Sequence, residues 1–142
     1  MNSATIAAAI RDRIEALTPA DQSGPDDVFR VFIGLDTTQQ GSRVGYLTPV
    51  GGIRAAGKVN RCNTWQTSFE LVMYYLETPA EPGQVGQLER AVADSEDILD
   101  DLYTWSSTTS GIHRIDPSQA QAADNNDGSI VIVRQFSIEF ER

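Results

Sequence analysis

The sequence predicts an α+β fold: an antiparallel or mixed β-sheet with two helices packed on one face and a long glycine-rich loop or hairpin excursion. Three observations lead there. Two segments carry apolar residues at helical spacing, and others alternate apolar and polar residues with a period of two. The order runs helix, strands, helix, strands, which suits helices gathered on one face of a sheet. The length of 142 residues suits one core, so residues 1–142 are expected to form a single domain. Size scaling gives roughly 7,200 Å² of folded surface against about 22,500 Å² unfolded, so about two thirds is buried on folding. With 40% hydrophobic residues, the chain has enough apolar surface to fill that core without a disulfide or a metal.

Residues 3–17 read as a helix capped by Ser3, with Ile6, Ile10, Ile14 and Leu17 on one stripe and Pro19 as the stop. Residues 20–27 form a polar loop with Gly24-Pro25. Residues 28–35 read as a strand with Phe29, Val31, Ile33 and Leu35 on one face and Arg30 on the other. The excursion spans about 36–61 and holds Gly41, Gly45, Gly51, Gly52, Gly57 and Pro49, with scattered apolar residues.

Residues 62–76 read as a long strand with Trp65, Thr67, Phe69, Leu71, Met73 and Tyr75 on one face. After a connector with Pro79 and Pro82, a second helix is expected from about Gln84 to Tyr103. Its inner stripe is Val85, Leu88, Val92, Leu99 and Leu102, and its outer face is Glu89, Asp94, Glu96, Asp97, Asp100 and Asp101. Residues 111–116 suggest a short strand, 117–126 a polar stretch, and Asp127-Gly128 a tight turn. Residues 129–141 form the cleanest strand, with Ile130, Ile132, Phe136, Ile138 and Phe140 sharing a face.

The formal net charge is −9, and ten of the eleven basic residues are arginine. Such a chain is a poor candidate for gripping nucleic acid, whose binding depends on cationic side chains that neutralise phosphates. Between Asp36 and Glu70 the sign reverses: there is no acidic residue, and Arg43, Arg54, Lys58 and Arg61 are all positive. Cys62 is the single cysteine, which excludes an intrachain disulfide and a thiolate zinc cluster. The N-terminus lacks the basic region of a signal peptide, and no run approaches the ~20 apolar residues of a membrane span, so a soluble protein is expected.

Four constellations suggest chemistry and none completes it. Gly52-Ile53-Arg54-Ala55-Ala56-Gly57-Lys58 has the spacing of a phosphate-binding loop, but Val59 stands where a magnesium-holding hydroxyl is needed and no helix follows. Cys62 and His113 are one thiol and one imidazole without a local signature. Asp97 with Asp100 or Asp101 shares a helix face, but a metal needs ligands from another element as well. The segment 124–128 fails a calcium-loop register, with Ala123 at the first ligand position and Arg134 at the last. No catalytic, cofactor or metal-binding set is therefore expected.

The layout nevertheless has a counterpart. The opening helix Ala4-Thr5-Ile6-Ala7-Ala8-Ala9-Ile10-Arg11-Asp12-Arg13-Ile14 is followed by a strand and a glycine-rich excursion. The strand Trp65-Gln66-Thr67-Ser68-Phe69-Glu70-Leu71, an acidic helix and the closing strand 130–140 complete it. This order resembles the tail terminator and tail-completion (neck) proteins of long-tailed bacteriophages. The resemblance implies a homo-oligomeric ring, usually a hexamer, that caps the head-proximal end of the tail tube and joins it to the head connector. It implies neither enzyme activity nor cofactor. The partners would be further copies of the chain, the tail tube protein and the head connector or neck protein, with DNA passing through unbound and no membrane. The protein would sit in the neck of the virion, and in the host cytoplasm during assembly.

In such a ring, Arg43, Arg54, Lys58 and Arg61 are expected at the assembly interface. Asp94, Asp97, Asp100 and Asp101 are expected to face the lumen, where negative charge repels DNA. Two other readings stay open: another virion part (head-completion, adaptor or baseplate protein), and a small ligand-binding or enzymatic α+β domain.

Overall fold

The fold is built around two long strands that meet along their full length. In the computed structural model, which describes residues 1–22, 24–34, 41–51, 54–55, 64–76, 84–124 and 129–141 (backbone alone for 54–55 and 84–85), the order begins with α1 (Ser3–Ala16) and β1 (Arg30–Ile33). Then come β2 (Val44–Pro49), β3 (Arg54–Ala55), β4 (Thr64–Leu76) and α2 (Gln84–Thr108). The chain closes with β5 (Ile112–Pro117), β6 (Gln121–Asp124) and β7 (Ser129–Glu141). β4 and β7 pair antiparallel from Thr64 opposite Glu141 to Leu76 opposite Ser129. β4 alternates as expected, and β7 does so beyond its doubly buried start at 129–132; one face of the pair is apolar throughout except at Thr67 and Arg134.

Each long strand has a broken neighbour. β2 and β3 pair with successive stretches of β4, and β5 and β6 pair with successive stretches of β7. β1 joins the outside of β2 in parallel, so the seven-stranded sheet is mixed. α1 and α2 cover the face that carries Leu47, Phe69, Leu71, Met73, Tyr75, Phe136, Ile138 and Phe140. Ile6, Ile10 and Ile14 of α1 and Ala91, Ile98, Leu102 and Trp105 of α2 close the same core. Each large apolar side chain buried there contributes about 1.5–3 kcal/mol.

Several local expectations are corrected. Asn2, not Ser3, caps α1: its side chain accepts from the Thr5 amide at 2.9 Å, while the Ser3 hydroxyl bonds Thr67 at 3.2 Å. The excursion contains a strand, because residues 44–49 form β2. Val44, Gly45, Tyr46 and Leu47 are buried on both faces, so the segment has no alternation to read. Gly45 lets β2 approach β4 closely; a Cβ there would lie 2.9 Å from the Met73 methyl. The remainder of 36–61 falls largely outside the described residues.

β1 is shorter than expected, and Ile33 is exposed at the end of this edge strand. α2 continues to Thr108, where the hydroxyls of Ser106, Ser107 and Thr108 donate back to the Tyr103 and Thr104 carbonyls. Gly111, at φ 88°, then turns the chain into β5. The stripe of α2 is also rotated: Leu88 and Val92 are exposed, while Gln87, Asp94 and Ser95 point inward. β6 was hidden in a polar stretch because all four of its residues are exposed. Among the described residues, no helix is long and apolar enough to cross a membrane.

Candidate functional site

The densest polar arrangement lies inside the fold, around Arg43. This residue immediately precedes β2 with a left-handed backbone (φ 58°), and its amide donates to the Tyr74 carbonyl at 2.8 Å. That geometry sends the side chain inward, where it is fully buried. Its Nε donates to Asp94 Oδ2 at 2.8 Å and its Nη1 to Asp27 Oδ2 at 2.7 Å, while Nη2 bonds Asp21. The guanidinium also lies 5.7 Å from the centre of the Phe29 ring.

Asp94 Oδ2 accepts a second bond from the Tyr75 hydroxyl at 2.8 Å, and Arg90 reaches Asp21 at 3.2 Å. Burial alone would favour a neutral Arg43, but bonds to Asp94, Asp27 and Asp21 outweigh it and raise the pKa further. Burial and the adjacent Asp94 charge push the Tyr75 phenol well up. Burial also raises Asp94, more than its bonds to Arg43 and Tyr75 lower it.

This cluster ties the polar loop after α1 to β2, β4 and α2. Its buried centre, Arg43, Asp94 and Tyr75, is satisfied within the chain and reaches the surface at Asp21, so its role is to hold the fold. The expectation for Arg43 is therefore corrected: with no exposed surface, it is not an assembly contact. Asp94 is corrected on the same ground, since it is 2% exposed and cannot face a lumen. Asp101 is half-buried against α1, where Arg13 grips it with two bonds of 2.7 and 3.0 Å. Asp97 and Asp100 are exposed, with Glu89 and Glu96, on the outer face of α2. Lys58, Arg61 and the side chain of Arg54 lie outside the described residues.

The other sequence candidates are dispersed. His113 is exposed and sits 3.2 Å from Glu141, while Cys62 and most of the 52–58 motif lie outside the described residues. Among the described residues, no cluster of His, Cys, Asp and Glu has the geometry to hold a metal.

Two features escaped the sequence reading. One is the sheet face opposite the helices, which carries an aromatic row across β1, β2 and β4. Phe32 stacks on Tyr46 with centroids 5.9 Å apart, and Tyr46 meets Tyr74 edge-on at 5.8 Å. Val44 and Val131 are buried on this face and Val72 and Val133 are half-buried. Phe32 and Val50 stand exposed at its margin. The alternation of β1 and β4 holds the signal, whereas Tyr46 lies in the glycine-rich loop or hairpin excursion, where no alternation marks it. The other is Arg134, which occupies an inward position of β7 in phase with Ile132 and Phe136. Its break in that apolar row was visible.

No family model and no curated protein matches this chain.

Proposed function

We propose that this chain is a structural virion assembly protein of the tail-terminator kind. It would form a homo-oligomeric ring, six copies by the implied pattern, that caps the tail tube and docks the head connector. The observation that carries the reading is the second apolar face of the sheet. An aromatic row backed by buried valines, running out to an exposed margin at Phe32 and Val50, supports burial against another protein. Aromatic side chains of this kind are favoured anchors at protein interfaces. The order of helices and strands that resembles tail terminators supports the same reading.

In this proposal the interface combines the Phe32 margin with Arg54, Lys58 and Arg61, and the free acidic face of α2 (Glu89, Glu96, Asp97, Asp100) lines the DNA passage. Light scattering across a concentration series tests it. Wild type should reach the mass of a ring, alone or on added tail tubes, and F32E should remain a monomer with little change in melting. A wild-type protein that stays monomeric and ignores tail tubes would contradict the proposal.

A further inference from the structure

Arg134 is the second arginine that projects into the helix–sheet layer, and its surroundings differ from those of Arg43. Its Nη2 donates to the Ser95 hydroxyl at 3.0 Å and its Nη1 to the Ser118 carbonyl at 3.0 Å. Both partners are neutral. Among the described residues the buried Nε has no hydrogen-bond partner and no carboxylate pairs with the guanidinium. Only two of the five N–H donors of the side chain are thus engaged. Holding a guanidinium partly out of water with so few partners is costly, which makes it a ready receptor for an anion.

The space beside it is shaped for one. A cleft of about 270 Å³ opens between α2 and the junction of β5 and β6, with Val92, Ala120, Ala122 and Ile132 as its apolar walls. Behind Arg134 lies a narrow, mostly apolar slot of about 20 Å³ against Leu71, Ile98, Leu102 and Phe136. The guanidinium stands where the two spaces meet.

We propose that this cleft is a binding site for a small monocarboxylate with a short aliphatic chain. The carboxylate would take the free edge of the Arg134 fork, a planar match with two parallel hydrogen bonds. The chain would lie along Val92, Ala122 and Ile132. The charge selects a monoanion: one arginine balances one negative charge, and Glu96 in the cleft wall opposes a second. At about 270 Å³ the cleft matches a short chain, which it can cover along its length. The site is built from α2, β6 and β7 and does not depend on ring formation.

Titration of ¹⁵N-labelled protein with sodium butyrate, following the Arg134 Nε–H resonance and molar mass together, tests the proposal. Butyrate should move that resonance saturably at constant mass, while sodium chloride and sodium phosphate at equal ionic strength should not. R134M, followed by the backbone amide resonances of Ala122 and Ile132 in the cleft wall, should weaken butyrate binding by about 10- to 100-fold, the loss of a charge-assisted pair. R134K should lie between the two, because it keeps the charge without the fork. Filling the cleft mouth with A122F should block binding with Arg134 intact. No movement with butyrate, equal movement with chloride, or undiminished binding by R134M would overturn the proposal. So would a shift that appears only as the molar mass rises, because the socket would then belong to an acidic side chain of a neighbouring copy.

Discussion

Arg43 and Arg134 contact consecutive residues of the same helix, Asp94 and Ser95, and yet they live in opposite electrostatic conditions. Arg43 is itself fully buried and meets three carboxylates, Asp94 buried beside it and Asp27 and Asp21 nearer the surface. Arg134 meets a hydroxyl and a carbonyl at the wall of an open cleft. The difference teaches that burial of an arginine does not define its role; the charge of its partners does. A guanidinium matched by carboxylates is part of the scaffold. One matched only by neutral groups retains the capacity to bind an anion.

The largest expected effect breaks the Arg43 side of this contrast. R43M would leave the buried Asp94 carboxylate without the guanidinium that pairs with it, costing about 3–5 kcal/mol. Urea denaturation should show a lower midpoint with an unchanged slope. D94N should cost less, about 1–3 kcal/mol, because an amide oxygen still accepts from Arg43 and Tyr75.

D94N also carries a pH signature. Burial raises the folded pKa of Asp94 above its ordinary 3.8, so the folded chain binds this proton more tightly than the unfolded chain. The contribution of Asp94 to stability is therefore complete below about pH 3.8 and declines as pH rises through the raised folded value. The gap between wild type and D94N, measured by denaturation at a series of pH values, should narrow as pH rises. A gap that widens would mean that Arg43 dominates burial at this site.

R134M sharpens the comparison from the other side. It removes two hydrogen bonds at a partly exposed position and no ion pair, so the expected cost is about 1 kcal/mol or less. The smallest effect belongs to D101N, which breaks the bridge from Arg13 across the helices. That pair is partly solvated and worth about 0.2–1 kcal/mol by thermal melting.

Much of this fold was legible because its central strands follow a simple rule. β4 alternates along its length, β7 does so from Arg134 onward, and α1 repeats isoleucine at helical spacing. Legibility failed wherever polar residues do interior work. The inward stripe of α2 includes Gln87, Asp94 and Ser95, so a reading by apolar residues alone chose Leu88 and Val92 and rotated the helix. β2 failed for the opposite reason, since burial on both faces erased its alternation.

The candidate site was the least legible part. Arg43 reads locally as a loop cation, and its acidic partners are 16, 22 and 51 residues away in the chain. Sequence spacing carries no sign of such a contact. Arg134 offered a clearer clue, a charge in the middle of an apolar row, but its meaning depends on the cleft that α2 and β6 build beside it.

Thermal melting of wild type, R43M and R134M, each with and without saturating butyrate, tests the contrast between the two arginines most directly. The expected result is a large loss of stability in R43M alone, and a rise in melting temperature with butyrate in wild type but not in R134M. A stable R43M, or equal stabilisation of wild type and R134M by butyrate, would contradict it.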